Sequence, residues 1–189
     1  MPKVVDHDAR RAELAGAVWA VVRREGIERA SMRTVAAEAG YSAGSLRHYF
    51  PTHSELLAFA LQVVMDRIGA RLAALERDPE PRRAARQILH ELLPLDDERR
   101  AENEVWLAFT ARALVDPSLR EIQAGVDEAL RRTWTGIAEA LALDDPELEG
   151  ERLHALVDGL CVHAALSGER LPADRIRAVV DHHLDSLTS

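Results

Sequence analysis

A single cysteine among 189 residues excludes an internal disulfide. That cysteine, Cys161, stands between Leu160 and Val162, the setting of an inert buried thiol more than of a redox sensor. No apolar run approaches the ~18 residues of a membrane span. The opening stretch MPKVVDHDARRAEL lacks the apolar core of a secretory signal, so a cytoplasmic location away from any membrane is expected. Catalytic patterns are missing as well: there is no H-E-x-x-H and no phosphate-cradling glycine loop. Glu151 and His154 form one E-x-x-H, but a di-iron bundle needs two with further inward glutamates. Cys161 and His163 fall on different faces of a helix, and adjacent His182 and His183 diverge by about 100°. No enzyme activity, catalytic residue, metal or cofactor is therefore expected. Aromatic residues are scarce too, at 4%, so a place where several gather carries weight.

What is present is helical periodicity over a charged chain. Hydrophobic residues make up 47% and charged residues 30%, enough for a substantial core under a solvated surface. The net charge of −8 is unevenly spread: residues 1–56 carry 8 Lys plus Arg against 7 Asp plus Glu, and the remainder 16 against 25. An acidic body joined to a near-neutral head presents the head to a polyanion. The fold class expected is all-α with about nine helices, at 8–25, 31–39, 42–49, 52–77, 82–93, 97–115, 117–143, 147–167 and 173–187. Asp116-Pro117 and Asp145-Pro146 are N-cap and first-turn proline signals. The expected domains are a three-helix head at 1–52 and a helical body at 53–189.

Residues 31–50, SMRTVAAEAGYSAGSLRHYF, are the most informative stretch. Ser31 can cap a helix whose Met32, Val35, Ala36 and Ala39 form one apolar face, and Gly40 can end it in the left-handed conformation. Ser42 then caps a second helix, with Leu46 and Phe50 inward and Ala43, Gly44, Ser45, Arg47 and His48 outward. Upstream, Leu14, Val18, Val21 and Val22 make a stripe ending at Gly26. Downstream, Pro51 breaks the chain, and Thr52 with Glu55 starts a long helix. The outer face of the second short helix is small, polar and partly basic, as a helix entering the major groove must be. An ordinary helical hairpin with a solvated face is the alternative.

The order of these elements resembles the TetR/AcrR-type transcriptional regulators. Their signature is a helix ending in Gly, then S-x-R-x-[VI]-A, a G-x-S turn and a recognition helix closing in H-Y-F. Here these are Gly26, Ser31 to Ala36, Gly40 to Ser42, and His48-Tyr49-Phe50. The likeness covers roughly residues 10–60 and implies a helix-turn-helix that binds double-stranded operator DNA through Arg33, Thr34, Ser42, Gly44, Ser45, Arg47, His48, Tyr49 and His53. Arg47 stands where the family often has Tyr, and His53 where a Lys often begins the fourth helix, so an operator sequence does not transfer from relatives. The resemblance also implies a small-molecule effector held in the body, for which Met65, Trp106, Phe109, Leu130 and Trp134 are the expected lining. A more distant similarity, carried by ENEVWLAFTARALVDPSLR and LVDGLCVHAALSGERLPADRIRAVVDHHL, is to the choline-sensing branch. It implies a cation box of Trp106, Trp134 and Glu102. The last two helices carry stripes including Leu153, Leu156, Leu160, Val180 and Leu184, read as surplus apolar surface that a second copy would cover as a homodimer. A repressor released by its effector is the leading reading. An activator of the same architecture, or a helical small-molecule-binding protein without sequence-specific DNA binding, stands beside it.

Overall fold

The computed structural model describes residues 7–167 and 171–187. Among them are nine α-helices: α1 (His7–Glu25), α2 (Met32–Glu38), α3 (Ala43–Arg47), α4 (His53–Ala74), α5 (Pro81–Leu92), α6 (Asp97–Ala113), α7 (Arg120–Ala140), α8 (Pro146–Ser167) and α9 (Ala173–Ser186). Two 3₁₀ turns, Ile27–Arg29 and Pro117–Leu119, complete the order, and the described residues contain no strand. None of these helices is long and apolar enough to cross a membrane. The chain divides into two compact units, Met1–Asp66 with Glu104–Leu119, and Arg67–Asn103 with Arg120–Ser189. By compactness the first unit thus runs past residue 52, taking in the start of α4 and the end of α6.

In the first unit α1 buries Leu14, Val18, Val21 and Val22, and it ends where Gly26 adopts φ 81°. Ser31 caps α2 reciprocally: its hydroxyl accepts from Thr34 N at 3.2 Å while Thr34 Oγ1 accepts from Ser31 N at 2.9 Å. Gly40, at φ 72°, closes α2, and Tyr41 N donates back to Ala36 O at 2.8 Å, the bond pattern that stops a helix and reverses the chain. Thr52 opens α4 by accepting from Glu55 N at 3.1 Å. Two residues on, buried Ser54 donates to Asp116 Oδ2, which also accepts from Arg112 Nε at 3.2 Å. Asp116 starts the second 3₁₀ turn by accepting from Ser118 N at 3.0 Å. Hydrogen bonds from Ser54 and Ser118, with Arg112 beside them, hold its carboxyl well below the usual carboxylate range.

The second unit is built around one apolar cluster fed by α5, α7, α8 and α9. Helix α7 ends at Ala140 because Ala142 takes the left-handed conformation, φ 54°, and Leu143 N donates to Ala138 O at 3.2 Å. It also begins three residues later than expected, the 3₁₀ turn having taken Pro117–Leu119. Asp145 caps α8, accepting from Leu148 N at 3.2 Å. At Gly150 the two helices cross so closely that a Cβ would lie 2.9 Å from Thr135 N.

Here the structure corrects the expected dimer seam. Leu153, Leu160, Val180 and Leu184 are buried in this cluster, and Leu156 packs against it half-buried. The reason is α5, whose Ala85 and Leu89 share the same core. Its Arg82 donates to the carbonyl oxygens of Leu184 in α9 and of Leu187 just past it, at 2.6 and 2.9 Å, and its Arg86 pairs with Asp181 and Asp185. The stripes taken as surplus are covered within one chain.

Candidate nucleic-acid interface

The helix pair α2–α3 presents its polar residues outward because the core takes everything apolar. Val35, Ala36 and Leu46 are buried, and Phe50 stacks on Phe59 with ring centroids 4.8 Å apart. Leu46 fixes the rotation of α3, so that Ala43, Gly44, Ser45, Arg47 and His48 are all exposed, followed by Tyr49 at 40%. Arg33 and Arg47 are exposed and form no ion pair with any described residue. Neighbouring cations are engaged instead: Arg24 pairs with Glu25 and Glu38, and Arg10 lies over the Tyr41 ring. His53 is exposed at the start of α4.

Two of the expected contacts have structural employment. The Thr34 hydroxyl donates to Arg29 O at 2.6 Å besides accepting from Ser31 N, so it holds the start of α2. Ser42 Oγ accepts from Ser45 N at 3.0 Å and donates to Ser45 Oγ at 3.0 Å, capping α3. Gly44 is exposed, and a Cβ there would meet only Ser42 Oγ at 3.7 Å. Nothing within the protein requires a glycine at that place, which is consistent with a close approach from outside. Side chains free to reach a base edge or phosphate are thus Arg33, Arg47, His48, Tyr49 and His53.

The expected effector residues do not fall together within one unit. Met65, Trp106 and Phe109 belong to the first, where Phe109 is wholly buried and the other two are half-buried; Leu130 and Trp134 belong to the second, where Trp134 is buried. The carboxylate of the expected cation box is already paired. Buried Glu102 accepts from Arg71 Nη1 and Nη2 at 2.7 Å each and from Arg67 Nε at 3.3 Å, so two guanidinium groups already neutralise it. Burying a charge is tolerable only when it is paired in this way. Asn103, missed in the sequence, is another buried polar residue: its Nδ2 donates to Cys161 O at 2.9 Å while its Oδ1 is buried without a partner.

Comparison with known proteins settles the class. Residues 17–59 match the family model described as bacterial regulatory proteins, tetR family, and residues 81–189 match the model described as BetI-type transcriptional repressor, C-terminal. The chain belongs to the TetR family of transcriptional regulators. It is 41% identical to the HTH-type transcriptional regulator PksA of Bacillus subtilis (strain 168), over 99% of this chain and 94% of that protein. The crystal structure of a transcriptional regulator from Rhodococcus sp. Rha1 superposes with a TM-score of 0.78 at 36% identity, covering 93% of this chain and 94% of that one. That of the multidrug binding protein EbrR complexed with ethidium gives a TM-score of 0.66 at 29% identity, covering 93% and 98%. As a TetR-family regulator, this chain carries its helix-turn-helix in the α2–α3 pair. Regulators of this family bind DNA and small-molecule effectors, typically as dimers.

Proposed function

We propose that this regulator is a cytoplasmic homodimeric repressor that holds a palindromic operator through α3 and releases it when an effector enters the body. The observation that carries the DNA reading is the unpaired, outward set Arg33, Arg47, His48 and Tyr49 around the buried anchor Leu46. Repression is favoured over activation by the repressor type of the matched C-terminal half. Dimerisation is supported by exposed apolar side chains on α8, Val162 at 39% and Leu166 at 79%, four residues apart on one face. An effector is supported by EbrR, an ethidium-binding protein of this architecture. The regulator acts by binding alone, with no reaction of its own.

The mechanism is a two-state shift. Two recognition helices must sit about one DNA turn apart, ~34 to 36 Å, to meet both half-sites. An effector with higher affinity for the conformation in which that spacing is lost lowers operator affinity, and operator lowers effector affinity by the same factor. Selection of bound sequences from random duplex DNA by the purified dimer tests the reading. A palindrome with two half-sites is expected, with binding that weakens steeply as salt rises. Recovery of no preferred duplex would refute it.

A further inference from the structure

The turn between α2 and α3 is tied to α1 by Tyr41, a residue that the G-x-S pattern leaves open. Gly40 reverses the chain at φ 72°, and Tyr41 follows it, immediately before Ser42, the N-cap of α3. Tyr41 is held at both ends. Its backbone N donates to Ala36 O at 2.8 Å, and its phenol O–H donates to Glu13 Oε2 at 2.7 Å, 28 positions away in α1. Arg10 completes the arrangement: its guanidinium carbon lies 4.7 Å from the centre of the Tyr41 ring, and its Nη1 is 3.6 Å from the same Glu13 oxygen. Arg10 and Glu13 are three residues apart on α1, hence neighbours on one face.

Helix α3 has five residues, too few to hold a helix by themselves. Buried Leu46 fixes its rotation, and the turn before it fixes where its first residues stand. In a helix-turn-helix those first residues are the ones brought to base edges. A second polar tie between α1 and this pair, Arg24 with Glu38 at 2.8 Å, joins exposed charges and is weakened by salt. The phenol–carboxylate bond is charge-assisted and directional, and a tyrosine loses little side-chain freedom in making it. Glu13 also sets up a conflict of signs. Its oxygen holds the turn, while its negative charge, beside a surface that meets phosphates, opposes a duplex. Position and charge therefore predict opposite effects when Glu13 is removed.

We infer that Tyr41 is a positioning residue for operator recognition: held by Glu13, it sets where α3 begins, and sequence-specific binding needs this bond whereas nonspecific binding does not. The inference rests on the operator reading, and its first test uses no DNA, so the two fail separately. Hydrogen exchange on the full chain, read by mass spectrometry, should show the amides of residues 45–50 exchanging at least three-fold faster in Tyr41→Phe, which removes only the hydroxyl, with exchange in α4 unchanged. Unchanged exchange at 45–50, or equal acceleration in α4, overturns the tie. Failure to recover any preferred duplex refutes the operator reading and leaves the exchange result standing. Fluorescence anisotropy then compares the selected duplex with a random duplex of equal length. Tyr41→Phe is expected to weaken the selected duplex at least five-fold and the random one less than two-fold. E13A should weaken the selected duplex by a similar factor although it removes a negative charge. E13Q, which keeps an acceptor oxygen for the phenol, should bind it at least as tightly as the wild type. Because both changes break one bond, Y41F combined with E13A should cost no more than either alone. Unchanged or tighter operator binding by E13A, or equal losses on both duplexes in Tyr41→Phe, overturns the positioning role.

Discussion

Arg47 owes its availability to its neighbours: Leu46 is buried beside it, and no described carboxylate pairs with it. A guanidinium so placed can hold a guanine by two parallel hydrogen bonds or can meet a phosphate, and the two roles have different signatures. If it reads a base, Arg47→Ala costs about 1–3 kcal/mol on the preferred operator and relaxes selectivity at one base pair. If it meets phosphate, all duplexes weaken alike. We expect the first, checked by titrating wild type and variant against an operator and its single-base variants at matched salt. Cys161 shows the opposite kind of residue. Burial, with Asp158 nearby, pushes its thiol up to about 12, so no thiolate is present at mildly alkaline pH. Iodoacetamide should therefore leave the native protein unmodified and label it fully in denaturant, as mass spectrometry would record. Which hydroxyls serve the fold was not legible from residue type. Ser42 reads as a cap from its place before the second helix, whereas Thr34 carries the same hydroxyl whether it faces DNA or holds a helix start, and only the positions of Arg29 O and Ser31 N assign it to the latter.

The elements themselves were largely legible, because their ends are written in local chemistry. Ser31, Ser42 and Thr52 open helices, and Gly26 and Gly40 close them, each through bonds among residues a few positions apart. The end of α7 was not, because Ala142 occupies a place where a glycine is the usual signal. An L-residue there bears about 1–2 kcal/mol of strain. Ala142→Gly is accordingly expected to stabilise the protein by about 1 kcal/mol, seen as a higher urea midpoint at unchanged slope. Gly150 is the reverse case. A methyl group there would press on Thr135 N at 2.9 Å and Trp134 C at 3.0 Å, and backbone atoms cannot turn aside. Gly150→Ala should lower stability by about 1–3 kcal/mol, as overpacking does, while operator binding of the folded fraction persists.

For the whole molecule, the leucines expected at the dimer seam lie instead in the core of one chain. Replacing Leu160 and Leu184 by Glu would place two carboxylates in an apolar core where both side chains are buried. The expected product is an unfolded chain with no cooperative melt, since unpaired buried charge costs several kcal/mol. Val162 and Leu166 are exposed on α8, and their replacement by Glu should leave the helical spectrum intact while light scattering reports a halved mass. A folded dimer carrying both of those changes would move the interface to another surface. The sequence by itself determined the order and type of the helices, the turn that sets α2 against α3, and the placement of net negative charge outside the head, because each depends on neighbours within a turn or on simple addition. Only the tertiary structure decided which apolar stripes are covered within one chain, that two arginines neutralise Glu102, and that Trp134 stacks on His154. These depend on partners 20 to 105 positions away, as Arg71 with Glu91 and Arg82 with Leu187, and no period along the chain encodes which distant surface arrives to satisfy a charge or hide a leucine.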